Sequence, residues 1–202
     1  MTDSCVLLVI TWIACCWYIA LRAARYRGVA LRAIPLLEFG CIGVGATFAM
    51  GSKSLAASTT LALVAIAVCA ITDARCGYIF DAVVVAGLAV TLPAAALDGT
   101  ARSSLTGIFA TSGTLLCVWA ASLGRGIGLG DVKLAALIGS GLGPLGGVVA
   151  VSLAFMLGAI AAVGLLVSGK ARLGTPMRFG PYLLAGSLCF LAYHRLNTGV
   201  IQ

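Results

Sequence analysis

The sequence predicts an all-α, polytopic membrane protein, on three observations. Of its 202 residues, 61% are hydrophobic and only 9% charged, too little polar surface to clothe a water-soluble globule of this size. Apolar stretches of roughly 17 to 25 residues, the length that crosses a hydrocarbon core, recur from end to end. The basic residues sit in short connections between those stretches. The formal net charge of +7 therefore reads as orientation in a bilayer, and nucleic-acid binding is set aside.

Taken in order, the apolar runs place helices at 4–21, 33–50, 55–72, 79–97, 104–123, 132–142, 145–168 and 179–196. The first opens MTDSCVLLVI and lacks a basic leader and a small-residue cleavage site, so it is expected to stay as a span. Between the sixth and seventh lies GLGPLGG, whose glycines and Pro144 make a tight turn or a kink. The count is therefore eight spans, alternatively seven. With the N-terminus outside and eight spans, Arg22, Arg25, Arg27, Arg32, Arg75, Arg125, Lys133, Lys170, Arg172 and Arg178 all fall inside, leaving Lys53, Arg102 and Arg195 outside. Seven spans would move Lys170, Arg172 and Arg178 across and erase most of that asymmetry, so eight is favoured. The chain reads as one transmembrane domain over residues 1–202, its 26 glycines letting helices approach closely.

Cysteines give no metal site. Cys5, Cys15, Cys16, Cys41, Cys69, Cys76, Cys117 and Cys189 lie almost entirely within apolar runs, and no pair has C-x-x-C spacing. They read as small packing residues, with Cys76 set apart only by its place three positions after Asp73.

Six acids remain as candidates for chemistry: Asp3, Glu38, Asp73, Asp81, Asp98 and Asp131. Asp3 and Asp98 fall at outer helix ends, where solvation accounts for them. Glu38 lies a turn or so inside the second run, and snorkelling toward Arg32 or a structural hydrogen bond accounts for it. Asp73 falls at the inner end of the third run and Asp131 at the inner start of the sixth. Two separate segments thus deliver a carboxyl to one membrane face, and two nearby carboxyls can take a proton from water and give one to a scissile carbonyl. Taken singly, Asp131 could be a helix N-cap and Asp73 a loop charge paired with Arg75. Gly128 and Gly130 just before Asp131 supply backbone that allows close approach of a substrate chain. Helix ends would bias the pair, with Asp131 at a positive end as base and Asp73 near a negative end as acid.

These residues resemble a known family. GLGDVKL at 128–134 matches the G-x-G-D-x-K-L signature of the type IV prepilin peptidases, bacterial intramembrane aspartic proteases. DARCGYIFD at 73–81 is similar to that family's first motif, an Asp followed after five residues by Ile-Pro-Asn or Ile-Pro-Asp. RFGPYLLAG at 178–186 is similar to its P-F-G-P-[FY]-L segment. Phe80 stands where the first motif has proline, so the start of the next helix is expected to be less sharply set.

The resemblance implies an inner-membrane enzyme, catalytic through Asp73 and Asp131 without metal or cofactor, that removes the basic leader from prepilins or pseudopilins at the cytoplasmic face. Gly128, Gly130 and Lys133 occupy the supporting motif positions, and Lys133 would support the second aspartate or its loop. Bifunctional members carry paired C-x-x-C zinc motifs between the first two spans. Here that connection, Arg22 to Arg32, is basic and cysteine-free, which implies the short form without N-methyltransferase activity. The rival reading is a proton- or cation-coupled transporter, which would place acids near mid-membrane.

Overall fold

A computed structural model describes residues 3–26, 56–124, 126–170, 172 and 177–199. Among these there are no strands. Six helices follow in order: α1 (Asp3–Tyr26), α2 (Ala57–Cys76), α3 (Asp81–Leu97), α4 (Ala101–Ala121), α5 (Leu129–Val167) and α6 (Gly180–Gly199).

The all-helical expectation holds, and the expected number of spans does not. Ala57–Cys76, Ala101–Ala121 and Leu129–Val167 are the helices among the described residues that are long and apolar enough to cross a membrane. The run expected at 79–97 becomes a helix of only 17 residues with Pro93 inside it. The runs at 132–142 and 145–168 fall within the single stretch Leu129–Val167. The last run carries His194, Arg195 and Asn197 in its final turns, and 33–50, with Glu38, lies outside the described residues.

α2 is the axis of the bundle. Its sequence is apolar on every side, and a helix of that kind must be enclosed. Accordingly Ala62 through Ala70 are all buried, as are Thr72 and Asp73. α1 runs parallel to it: the Trp12 indole N–H donates to the Leu61 carbonyl at 3.1 Å, and Cys16 lies beside Cys69 further along both helices. At the start of α2 the Asp98 carboxylate accepts the Ser58 N–H at 3.0 Å, so the acid expected to be merely solvated satisfies one of the free amides of a helix N-terminus.

α5 is two helices folded back on each other. Gly143 breaks it with φ 72° and ψ −178°, a left-handed backbone that glycine adopts at little cost, and Pro144 follows without an N–H to continue the ladder. In an unbroken helix Gly139 and Gly147 would stand about 12 Å apart along the axis. Instead, a Cβ on Gly147 would lie 3.1 Å from the Gly139 Cα. The second arm returns until Gly158 meets Phe179, where a Cβ would lie 3.1 Å from the ring. The outer faces of α4 and α5 stay apolar, with Phe109, Met156 and Ile160 exposed by 75%, 61% and 68%. That surface suits lipid and would be a liability in water.

The first arm of α5 touches α4 backbone to backbone. A Cβ on Gly139 would overlap the Gly107 carbonyl oxygen and the Thr111 hydroxyl. That hydroxyl lies within hydrogen-bonding distance of the Gly107 and Ala135 carbonyls, at 2.8 and 2.7 Å. Gly139→Ala should therefore force the helices apart at an overpacking cost of about 1–3 kcal/mol. In detergent its melting temperature should fall by about 5 °C, and an unchanged melting curve would show that this contact does not hold the bundle.

Candidate active site

Asp73 stands one turn before the end of α2, and the sequence fixes that end closely. Gly77 takes a left-handed φ of 69° and returns its N–H to the Asp73 carbonyl at 2.8 Å, the common glycine termination of a helix. The chain then runs extended into Phe80, whose side chain is 97% enclosed (3% exposed) in the core cluster, and α3 starts at the next residue. Burial of the Phe80 ring thus sets the start that a proline would otherwise have set.

Asp131 lies in the first turn of α5 and is not the N-cap. Gly128 holds that place, and the Asp131 side chain reaches back to accept the Gly128 N–H at 3.2 Å. Gly130 lies against Ile79, where a Cβ would sit 3.3 Å from the Ile79 Cβ. The two motif glycines therefore have separate tasks: one amide holds the carboxylate, and one missing side chain lets α5 close on the 77–80 segment. Both aspartates are buried, at 7% and 9% exposure, and each lies within electrostatic reach of the other.

A third segment completes the site. The Gly180 N–H, in the first turn of α6, donates to Asp73 Oδ2 at 2.8 Å. The Arg178 guanidinium donates to the Ala74 carbonyl at the end of α2 and lies near the Asp73 carboxylate. Among the described residues, no hydrogen bond reaches Oδ1 of either aspartate. Each carboxyl is thus held by one oxygen to a backbone amide at a helix start.

This geometry removes the premise that separated the two roles. Asp73 is near the C-terminal end of its own helix, yet its carboxylate also sits on the N-terminal end of α6. Both acids therefore face a positive helix end, and helix dipoles assign neither as base. Lys133 turns away from the expected partner as well. Its Nζ pairs with Asp81 Oδ1 at 2.8 Å, joining the first turns of α5 and α3 beside the dyad.

Residues 60–163 match the type IV leader peptidase family. The chain belongs to that family. Two curated relatives, each named prepilin leader peptidase/N-methyltransferase and coming from Burkholderia pseudomallei strains 1026b and K96243, are 32% identical over 190 residues. That alignment covers 87% of this chain and 60% of theirs, so the chain spans about 60% of the length of the curated relatives it matches. No solved structure matches it. The segment matched to the leader peptidase family holds Asp73, Asp81, Gly128, Gly130, Asp131 and Lys133, whereas Arg178 and Gly180 lie beyond its end. Those two are what the reading of the sequence missed. RFGPYLLAG is visible as a motif, but Arg178 enters there only as a topology charge and Gly180 has no role.

The Lys133–Asp81 pair is half exposed on both sides, at 50% and 52%, so screening by solvent keeps it weak. A double-mutant cycle of Lys133→Met and Asp81→Asn, read as unfolding free energy, should give a coupling of about 0.2–1 kcal/mol. A coupling several times larger would show that this bridge carries the register of α5 on α3.

Proposed function

We propose that this chain is an aspartic endopeptidase of prepilins or pseudopilins, with Asp73 and Asp131 as its two catalytic residues. One observation carries the reading: the last turn of α2 and the first turn of the 129–142 arm bring two buried carboxyls into electrostatic reach, each held by a backbone amide at a helix start. One carboxylate takes a proton from water as the water oxygen attacks the scissile carbonyl. The other carboxyl gives its proton to the carbonyl oxygen. As the C–N bond breaks, the proton taken from water passes to the leaving amine and a hydroxyl of the tetrahedral intermediate returns its proton to the second carboxyl. Because one group must start ionised and the other protonated, the pair works as a unit. The helix-end placement of both acids favours hydrolysis over the transporter reading, which wants carboxyls near the middle of a span.

In the membrane, we infer an arrangement with the N-terminus outside and the dyad facing the cytoplasm. The parallel course of α1 and α2 puts Arg22 and Arg25 at the same end as Arg75, Lys133 and Arg178, the charge pattern of a cytoplasmic face. A substrate with a basic leader followed by an apolar helix suits this end, since the helix remains in lipid while the leader meets anionic headgroups. The cysteine-free connection between Arg22 and Arg32 leaves no paired-cysteine zinc site there. The activity proposed is therefore proteolysis without N-methyl transfer, in contrast to the names of the two relatives.

Cleavage of a purified prepilin by wild type, Asp73→Asn and Asp131→Asn tests this directly. Each variant should lose activity by at least about a thousandfold, and turnover by either one would overturn the dyad. For the wild type, kcat plotted against pH should rise and then fall, one limb for each carboxyl. A single-limbed profile would point to one working acid instead of two.

A further inference from the structure

The segment before α6 contributes more than a loop connection. Its Gly180 amide is 2.8 Å from Asp73 Oδ2, and both partners are buried. A Cβ at position 180 would lie 2.9 Å from both Cβ and Oδ2 of Asp73, so a side chain here would displace the carboxyl it now holds. Two residues earlier, Arg178 reaches over the end of α2 to the Ala74 carbonyl, with its Nε 3.8 Å from where a Gly77 Cβ would be. That carbonyl belongs to the last turn of a helix, where a cation is favourable. Arg178 thus ties the segment to the helix end that bears Asp73, and Gly180 then meets the carboxylate. The resemblance that marked this segment has proline where this chain has Arg178, so the tether belongs to this sequence.

We propose that Arg178 and Gly180 are positioning residues that act as one clamp on Asp73, the glycine amide fixing Oδ2 and the arginine fixing the glycine. The clamp leaves Oδ1 as the reacting oxygen. It rests on the reading of Asp73 as catalytic. Its physical content is orientation: a carboxyl free to rotate about its side-chain torsions spends less time aimed at a water molecule or a scissile carbonyl, and small misplacements of reacting groups carry large rate losses. Orientation of the dyad bears on turnover, while docking of the leader and apolar helix stays as it was.

The test compares steady-state cleavage of one purified prepilin by wild type, Asp73→Asn, Gly180→Ala, Arg178→Met and Arg178→Lys, with melting temperatures from the same detergent preparations. Gly180→Ala should lower kcat by about a hundredfold with KM within about threefold. Arg178→Met should lower kcat by about tenfold, and Arg178→Lys, which keeps a cation and a donor for the Ala74 carbonyl, should stay within about threefold of wild type. Should Gly180→Ala fail to fold, the Arg178 pair decides alone. Wild-type kcat in Gly180→Ala or Arg178→Met alongside an inactive Asp73→Asn overturns the clamp, as do equal losses in the two Arg178 variants. Activity retained in Asp73→Asn overturns the reading of the dyad instead.

Discussion

Two backbone amides at helix starts meet the two buried carboxylates, and the bundle is organised around delivering those donors. Carboxylates removed from bulk water need hydrogen bonds from the protein, because nothing else nearby can provide them. Helix N-termini supply them without spending a side chain: the first amides of any helix lack an internal partner. Gly128 does this for Asp131 from within the same turn, and Gly180 does it for Asp73 across 107 residues of sequence. The first is a local motif and needs no tertiary structure. The second exists only because α6 starts at the level where α2 ends.

Setting helix ends at a common level takes short-range packing, since lipid gives apolar helices no reason to associate for their own sake. Glycines do it here by letting backbones touch. The Gly107–Gly139 crossing locks α4 to the first arm of α5, Gly147 closes that arm on the second, and Gly186 lies against the backbone at Ala150 and Ala154, joining α6 to the hairpin. Thr59 fastens the opposite end, donating to the Gly141 carbonyl at 2.7 Å. These contacts sit away from the aspartates, yet they fix how far each helix travels before its end reaches the site.

What the sequence discloses follows the range of the interaction. Asp131 and its glycines stand within four residues of one another, so they read as a unit, and Asp73 is an acid at the boundary of a long apolar run. The GLGPLGG break is visible because glycine and proline carry their conformational meaning in their identity, and the fold turns there at Gly143. The Gly180 amide carries no such mark, since every residue but proline has one. Lys133 looks like a partner for Asp131 two positions away, but adjacent positions point to different sides of a helix. Its actual partner, Asp81, starts a different helix. Likewise, the position of Asp73 near the end of α2 says nothing of the start of α6 that meets its carboxylate. The span count goes astray where length criteria meet a 17-residue helix and a folded-back one.

The two arms of the α5 hairpin are unequal, and the longer one passes the level of the carboxyls. The first arm begins beside Asp131. The second draws level with that end where Gly158 meets Phe179 and then continues through residues 159–167, about 13 Å further along its axis. Ile160, Val163 and Val167 remain uncovered there, at 68%, 59% and 84% exposure. Lipid coating that flank would stand higher than the two carboxyls, so the thickness of the surrounding bilayer bears on how far beneath the membrane surface they lie.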